Sequence, residues 1–215
     1  MAQGPGSQED QRLKTVMESQ QLHFIRKQSE PELAPAYLHI AIAGVLRHAQ
    51  EGELPLFAWT LGLPQQELRV MLASGFPEPG MADARILMNL SDDQYHALLQ
   101  AAPVEFMQLK QLLLDHQSVS VNTQHASWLA SAIAAASFGS RHLWQDLGVP
   151  GREAVSALMR EYFTELFLAN TQNLKWKRFL FAELGRRQGK YDLRPPKCTH
   201  CDDFHVCFPD SVTTT

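Results

Sequence analysis

The chain has 215 residues, 45% of them apolar, and 19 Lys and Arg against 23 Asp and Glu for a formal charge of −4. That is enough apolar content for one ordinary core, and the slightly acidic balance favours neither nucleic acid nor an anionic membrane as a partner. The opening MAQGPGSQEDQRLK has no apolar stretch of the secretory kind, and the greasiest run, Trp128 to Phe138, is too short to span a bilayer, so a soluble cytoplasmic protein is expected.

Residues 1–10, rich in Gly, Gln and Ser, read as a mobile N-terminus. From 11 to 190 the pattern is helical, with almost no period-2 alternation. Leu13, Val16, Met17, Leu22, Phe24 and Ile25 form a loose amphipathic stripe. A helix is expected from Ala36 to Ala49, entered after Pro35 and ended near Gly52. Pro64 opens another over Gln65 to Ala73, stopped by the Gly75-Phe76-Pro77 turn and a loop through Gly80. Ser91 with Gln94 three residues on has the form of a capping box. Pro103 suits the first turn of a helix over Val104 to His116.

Asn122 to Phe138 is Ala-rich and apolar nearly all round, the mark of a central helix. Arg141 to Leu147 continues or kinks from it, with Gly148 as a stop. Arg152 to Leu168 reads as one amphipathic helix, and Asn173 to Leu184 as the last before the Arg186-Arg187-Gln188-Gly189 break. Residues 191–215 contain Pro195, Pro196 and Pro209 and no periodicity. The expected architecture is all-α, a helical bundle over 11–190 with an irregular cysteine-containing C-terminal tail.

The three cysteines all fall in that tail, as Cys198-Thr-His-Cys201-Asp-Asp-Phe-His-Val-Cys207, a C-x2-C-x5-C pattern. A disulfide framework would scatter them along the chain, so clustering points to ligation or redox chemistry. Two thiolates three residues apart can grip one metal or two corners of a cluster, and the third closes the loop. A tail of this kind gains order chiefly from coordination. Several states fit the spacing: an iron–sulfur cluster, a zinc site completed by His200 or His205, a thiol–disulfide pair at Cys198 and Cys201, or unligated thiols. Three cysteines leave one cluster corner without a thiolate, and such lability suits a donor.

From Lys175 to Lys197 there are eight basic residues (Lys175, Lys177, Arg178, Arg186, Arg187, Lys190, Arg194, Lys197) against Glu183 and Asp192. Thiolate-bound clusters and oxyanions such as molybdate are both negative, and cationic surroundings stabilise either. A solvated helix face or a docking patch for an acidic partner explains the same charges. Trp176, Phe179 and Leu180 read as core. His142 and Asp146 are four apart and can present N and O ligands, or His142 and Trp144 can brace the bundle against the tail. His39, His48, His96, His116 and His125 read as surface or cap residues.

His142-Leu-Trp-Gln-Asp-Leu-Gly148, Arg152, Met159, Phe163, Asn170, Asn173-Leu-Lys-Trp-Lys-Arg-Phe179 and the C-x2-C-x5-C followed by Phe208 resemble the NifQ family of nitrogen-fixation proteins. The resemblance is clear over residues 125–208 and weaker at Leu61-Gly-Leu63 and Gly75-Phe-Pro77. It implies an iron–sulfur cluster on Cys198, Cys201 and Cys207, three-iron and able to take up molybdenum; separately, the sequence shows no nucleophile–base pair or phosphate loop, so the chain is not expected to be an enzyme. The resemblance also implies donation of that molybdenum for assembly of the nitrogenase iron–molybdenum cofactor. The implied partners are the nitrogenase cofactor assembly scaffold, the nitrogenase iron protein and molybdate, and the charge balance leads to no expectation of nucleic acid or membrane as a partner. The family carries C-x4-C-x2-C-x5-C; here its first cysteine falls on Leu193, which ligates nothing, and His200, His205 or His142 is left as the additional ligand. The family's aromatic-Pro pair is Phe163-Thr164 here. A zinc-stabilised helical protein-interaction module is the rival reading from another class.

Overall fold

Small side chains on every face let one helix sit at the middle of this fold. α5 (Thr123–Ala136) is buried from Trp128 to Ala136, and Asn122 caps it by accepting the His125 N–H. The protein, a computed structural model describing residues 34–76, 89–201 and 203–209, is all-α, with no strand among those residues. None of the helices there is long and apolar enough to cross a membrane. The expected N-terminal stripe, the 1–10 segment, the loop through Gly80 and the last six residues of the chain lie outside the described residues.

A helix over 34–50, α1, is followed by a 3-10 turn at Leu56–Thr60, then α2 (Gln65–Ala73), α3 (Asp92–Gln100) and α4 (Val104–Asp115). The capping box forms as the spacing predicts: the Gln94 N–H donates to Ser91 Oγ and the Ser91 N–H to Gln94 Oε1. α4 packs along α5. Phe106, Phe57, Phe138 and Phe181 make successive ring contacts at 5.2 to 6.0 Å, tying the 3-10 turn to α4 and to the last long helix.

Two expected helices change shape. Arg152 to Leu168 divides into α7 (Arg152–Tyr162) and α8 (Thr164–Ala169), broken at buried Phe163. The cause is Ser118, whose Oγ accepts the Thr164 N–H and so takes the donor that would have continued the ladder. The last long helix, α9 (Trp176–Gln188), begins later and ends later than the pattern suggests. Asn173 adopts φ 51°, and Arg152 grips the carbonyls of Asn173 and Leu174, so these residues form a loop.

The tail also differs from a featureless loop. Beyond Gly189 the chain folds back over Gly185, where an added Cβ would lie 2.2 Å from the Lys190 carbonyl oxygen. Leu193 packs there against the core. A 3-10 turn at Cys198–His200 and a one-turn α10 (Phe204–Cys207) follow, joined by the Phe204 N–H on the Cys201 carbonyl at 2.9 Å.

Candidate metal centre

Cys198, Cys201 and Cys207 line one cleft of about 630 Å³, open mouth included, between the tail, α7 and the start of α9. With them stand Arg141, His142, Arg152, Lys175, Lys177 and Arg178. No Asp or Glu is among the lining residues. The short helix α6 (Leu143–Asp146) forms another wall; the Gln145 side chain accepts the His142 N–H and fixes the approach of His142 to the cleft.

The cations are held rather than loose. Lys177 is 6% exposed, and its Nζ donates to Asp146 Oδ2 at 2.5 Å and to the Gly139 carbonyl at 3.0 Å. Asp146 is fully buried and takes a second bond from Arg141 Nε at 3.1 Å. Gly139 is required here, because a Cβ would come within 2.2 Å of the Asp146 carboxylate. Burial holds the Lys177 ammonium below its ordinary value, while Asp146 pulls it back up. Arg152 donates to the carbonyl and side chain of Asn173 and to the Leu174 carbonyl, which sets the N-terminus of α9 at the cleft. Lys175 Nζ pairs with Asp203 at 2.9 Å, and His142 Nε2 lies 3.4 Å from the same carboxylate.

Burial pushes the Cys198 thiol up to about 11, with Lys177 opposing, and raises Cys207, with Arg178 opposing. At neutral pH these metal-free thiols hold their protons, and ligation releases them. The three sulfurs do not meet at a single point: among the described residues, the three donors whose ligand atoms all lie within 4.8 Å of one another are His48, Glu51 and Glu53.

Not every residue singled out from the sequence comes to the cleft. His200 and His205 are exposed and do not line it; His142 is the imidazole that does. Arg186 is exposed and pairs with Glu183, Arg187 pairs with Asp115, and Lys197 is exposed outside the cleft. Asp146 does not stand beside His142 as a surface ligand; its carboxylate is buried under Lys177. Leu193 does not line the cleft and serves to dock the tail. His48, expected at the surface, is 7% exposed. Arg141 escaped notice as a site residue because its partners, Asp146 and Glu53, are found only in the folded chain; the one hint was its place just before His142.

The tail is clamped by aromatic contacts. The Arg194 guanidinium lies 4.7 Å and that of Arg178 5.4 Å from the Phe208 ring centre, and Phe204 packs on the same ring at 5.3 Å. Such contacts contribute about 0.5–1 kcal/mol each at exposed sites. Phe208→Ala is therefore expected to speed tryptic cleavage after Lys197 several-fold, up to about tenfold, and to leave thermal unfolding of the bundle unchanged.

A family model described as NifQ matches residues 41–209. Protein NifQ of Azotobacter vinelandii is 31% identical over 79% of this chain and 87% of that protein. A protein NifQ homolog of Sinorhizobium fredii is 33% identical over 68% of this chain and 60% of that protein, and protein NifQ of Klebsiella pneumoniae is 36% identical over 40% and 52%. No solved structure matches the chain.

Proposed function

The chain belongs to the NifQ family of nitrogen-fixation proteins, and from that premise we infer that it is an iron–sulfur metallochaperone that donates molybdenum for nitrogenase cofactor assembly. The observation that carries this reading is the convergence of three thiols and five cations on one cleft with no carboxylate among its lining residues. Lys175, Lys177 and Arg178 sit at the N-terminal end of α9, where the helix dipole is already positive. Cations there are unfavourable by themselves and become favourable around a bound anion. A thiolate-ligated cluster and molybdate are both anionic.

The donor set fits an iron–sulfur group. Thiolates are its usual protein ligands. Cys198, Cys201 and Cys207 would hold the cluster, and His142, the imidazole that lines the cleft, would be the additional ligand. When bound, the cluster supplies a sulfide-rich face with one corner free of thiolate, on which molybdenum is carried as cargo. The chain's own residues do the rest. Lys177, fixed by Asp146, offsets thiolate charge beneath Cys198 and Cys201; Arg178 does so beside Cys207; Arg152 and Lys175 draw molybdate to the mouth. Delivery follows docking to the cofactor assembly scaffold or to the nitrogenase iron protein, and the carrier makes and breaks no bond of an organic substrate.

Oxygen-free preparation, with reconstitution if needed, tests the cofactor. The reading predicts iron together with acid-labile sulfide in each chain. Zinc without iron would instead make the tail a structural module, and a metal-free cycling disulfide would make it a redox pair.

A further inference from the structure

A second set of metal donors lies at the end of α1, outside the thiol cleft. His48 belongs to its last turn, and the N–H groups of Glu53 and Leu54 both donate to the His48 carbonyl, at 2.9 and 3.1 Å. That turn folds Glu51 and Glu53 back over the imidazole, and the ligand atoms of all three lie within 4.8 Å of one another. From this geometry we propose that His48, Glu51 and Glu53 form a nitrogen-and-oxygen site for a divalent first-row transition cation, separate from the cysteines.

The imidazole is prepared for ligation. Its side chain is 9% exposed, and Nδ1 lies 3.1 Å from the Asp146 backbone carbonyl. A carbonyl only accepts, so Nδ1 donates in that contact and Nε2 is the ring nitrogen left to face a ligand. That nitrogen faces the Glu53 carboxylate at 3.7 Å, beyond hydrogen-bond reach. A backbone carbonyl on the far ring nitrogen is the arrangement that orients metal-bound histidines and raises their basicity. The C-terminal end of α1 adds a partial negative charge. One imidazole and two carboxylates suit zinc, manganese or iron(II), with water completing the shell. Arg141 holds Glu53 Oε2 at 2.5 Å while it also binds Asp146, so a cation arriving at Glu53 competes with a residue that lines the cleft.

Cobalt(II) is the probe, because its visible spectrum separates thiolate from nitrogen and oxygen ligands. The full-length chain with Cys198, Cys201 and Cys207 replaced by Ser removes the cleft thiols, so the outcome does not depend on the carrier reading. It is expected to bind one cobalt ion with weak ligand-field bands and no sulfur charge transfer. Adding Glu51→Gln, at an exposed position that leaves the fold intact, or Glu53→Gln should each weaken binding by about tenfold or more. The proposal is overturned if the Ser-substituted chain binds no cobalt while its helical circular dichroism is native, or if both Gln variants bind as tightly as their parent.

Discussion

Lys177→Met is expected to lower the stability of the protein by about 3 kcal/mol, because it strips a buried carboxylate of its nearest cation. Asp146 is fully buried, and Lys177 is its 2.5 Å partner. Arg141 remains on the other carboxylate oxygen at 3.1 Å, which keeps the loss at the lower end of the usual range for a broken buried pair. For a chain of this size that loss corresponds to roughly 6–12 °C in Tm. Adding Asp146→Asn removes the uncompensated charge while preserving an acceptor for Arg141, and should recover at least half of the loss. Calorimetry or denaturant titration of the metal-free chain reads both values. A single-variant loss below about 1 kcal/mol, the scale of an exposed pair, would contradict the buried network on which the cleft wall rests.

The second large effect is on cofactor content. Cys201→Ser replaces a thiolate by a hydroxyl, a poor ligand for iron. Iron and sulfide per chain after anaerobic reconstitution should fall by at least about tenfold, the scale of losing a supporting group and more for a ligand itself. Far-UV circular dichroism should stay native, since Cys201 is only partly buried and lies in the tail just after a 3-10 turn. Unchanged iron content would remove Cys201 from the ligand set.

The sequence carried the elements whose signals are local. Pro64 and Gln65–Ala73, the Ser91–Gln94 box and the Ala-rich run under Asn122 depend on neighbours within one or two turns, and they form where the pattern places them. The break at Phe163 was hidden because its cause, the Ser118 hydroxyl, is 46 residues away. The delayed start of α9 was hidden for the same reason, since Arg152 stabilises a loop 21 residues downstream. At the site, cysteine spacing identified the donors, and clustered charge identified Lys175, Lys177 and Arg178 as cations. Local charge could not separate those three from Arg186, Arg187 and Lys197, which point elsewhere. Only folding reveals that Lys177 is buried on Asp146 and that Arg141 joins it. The exposure of His200 and His205, beside the approach of His142, is likewise a tertiary fact.

Molybdenum retention tests the account most directly. Iron–sulfur-loaded protein is incubated with molybdate without oxygen, freed of unbound ions by gel filtration and assayed for molybdenum. The account predicts molybdenum co-eluting with the loaded protein and absent from the same protein stripped of iron and sulfide. Loaded protein that emerges with its iron and sulfide intact and no molybdenum would contradict the carrier role.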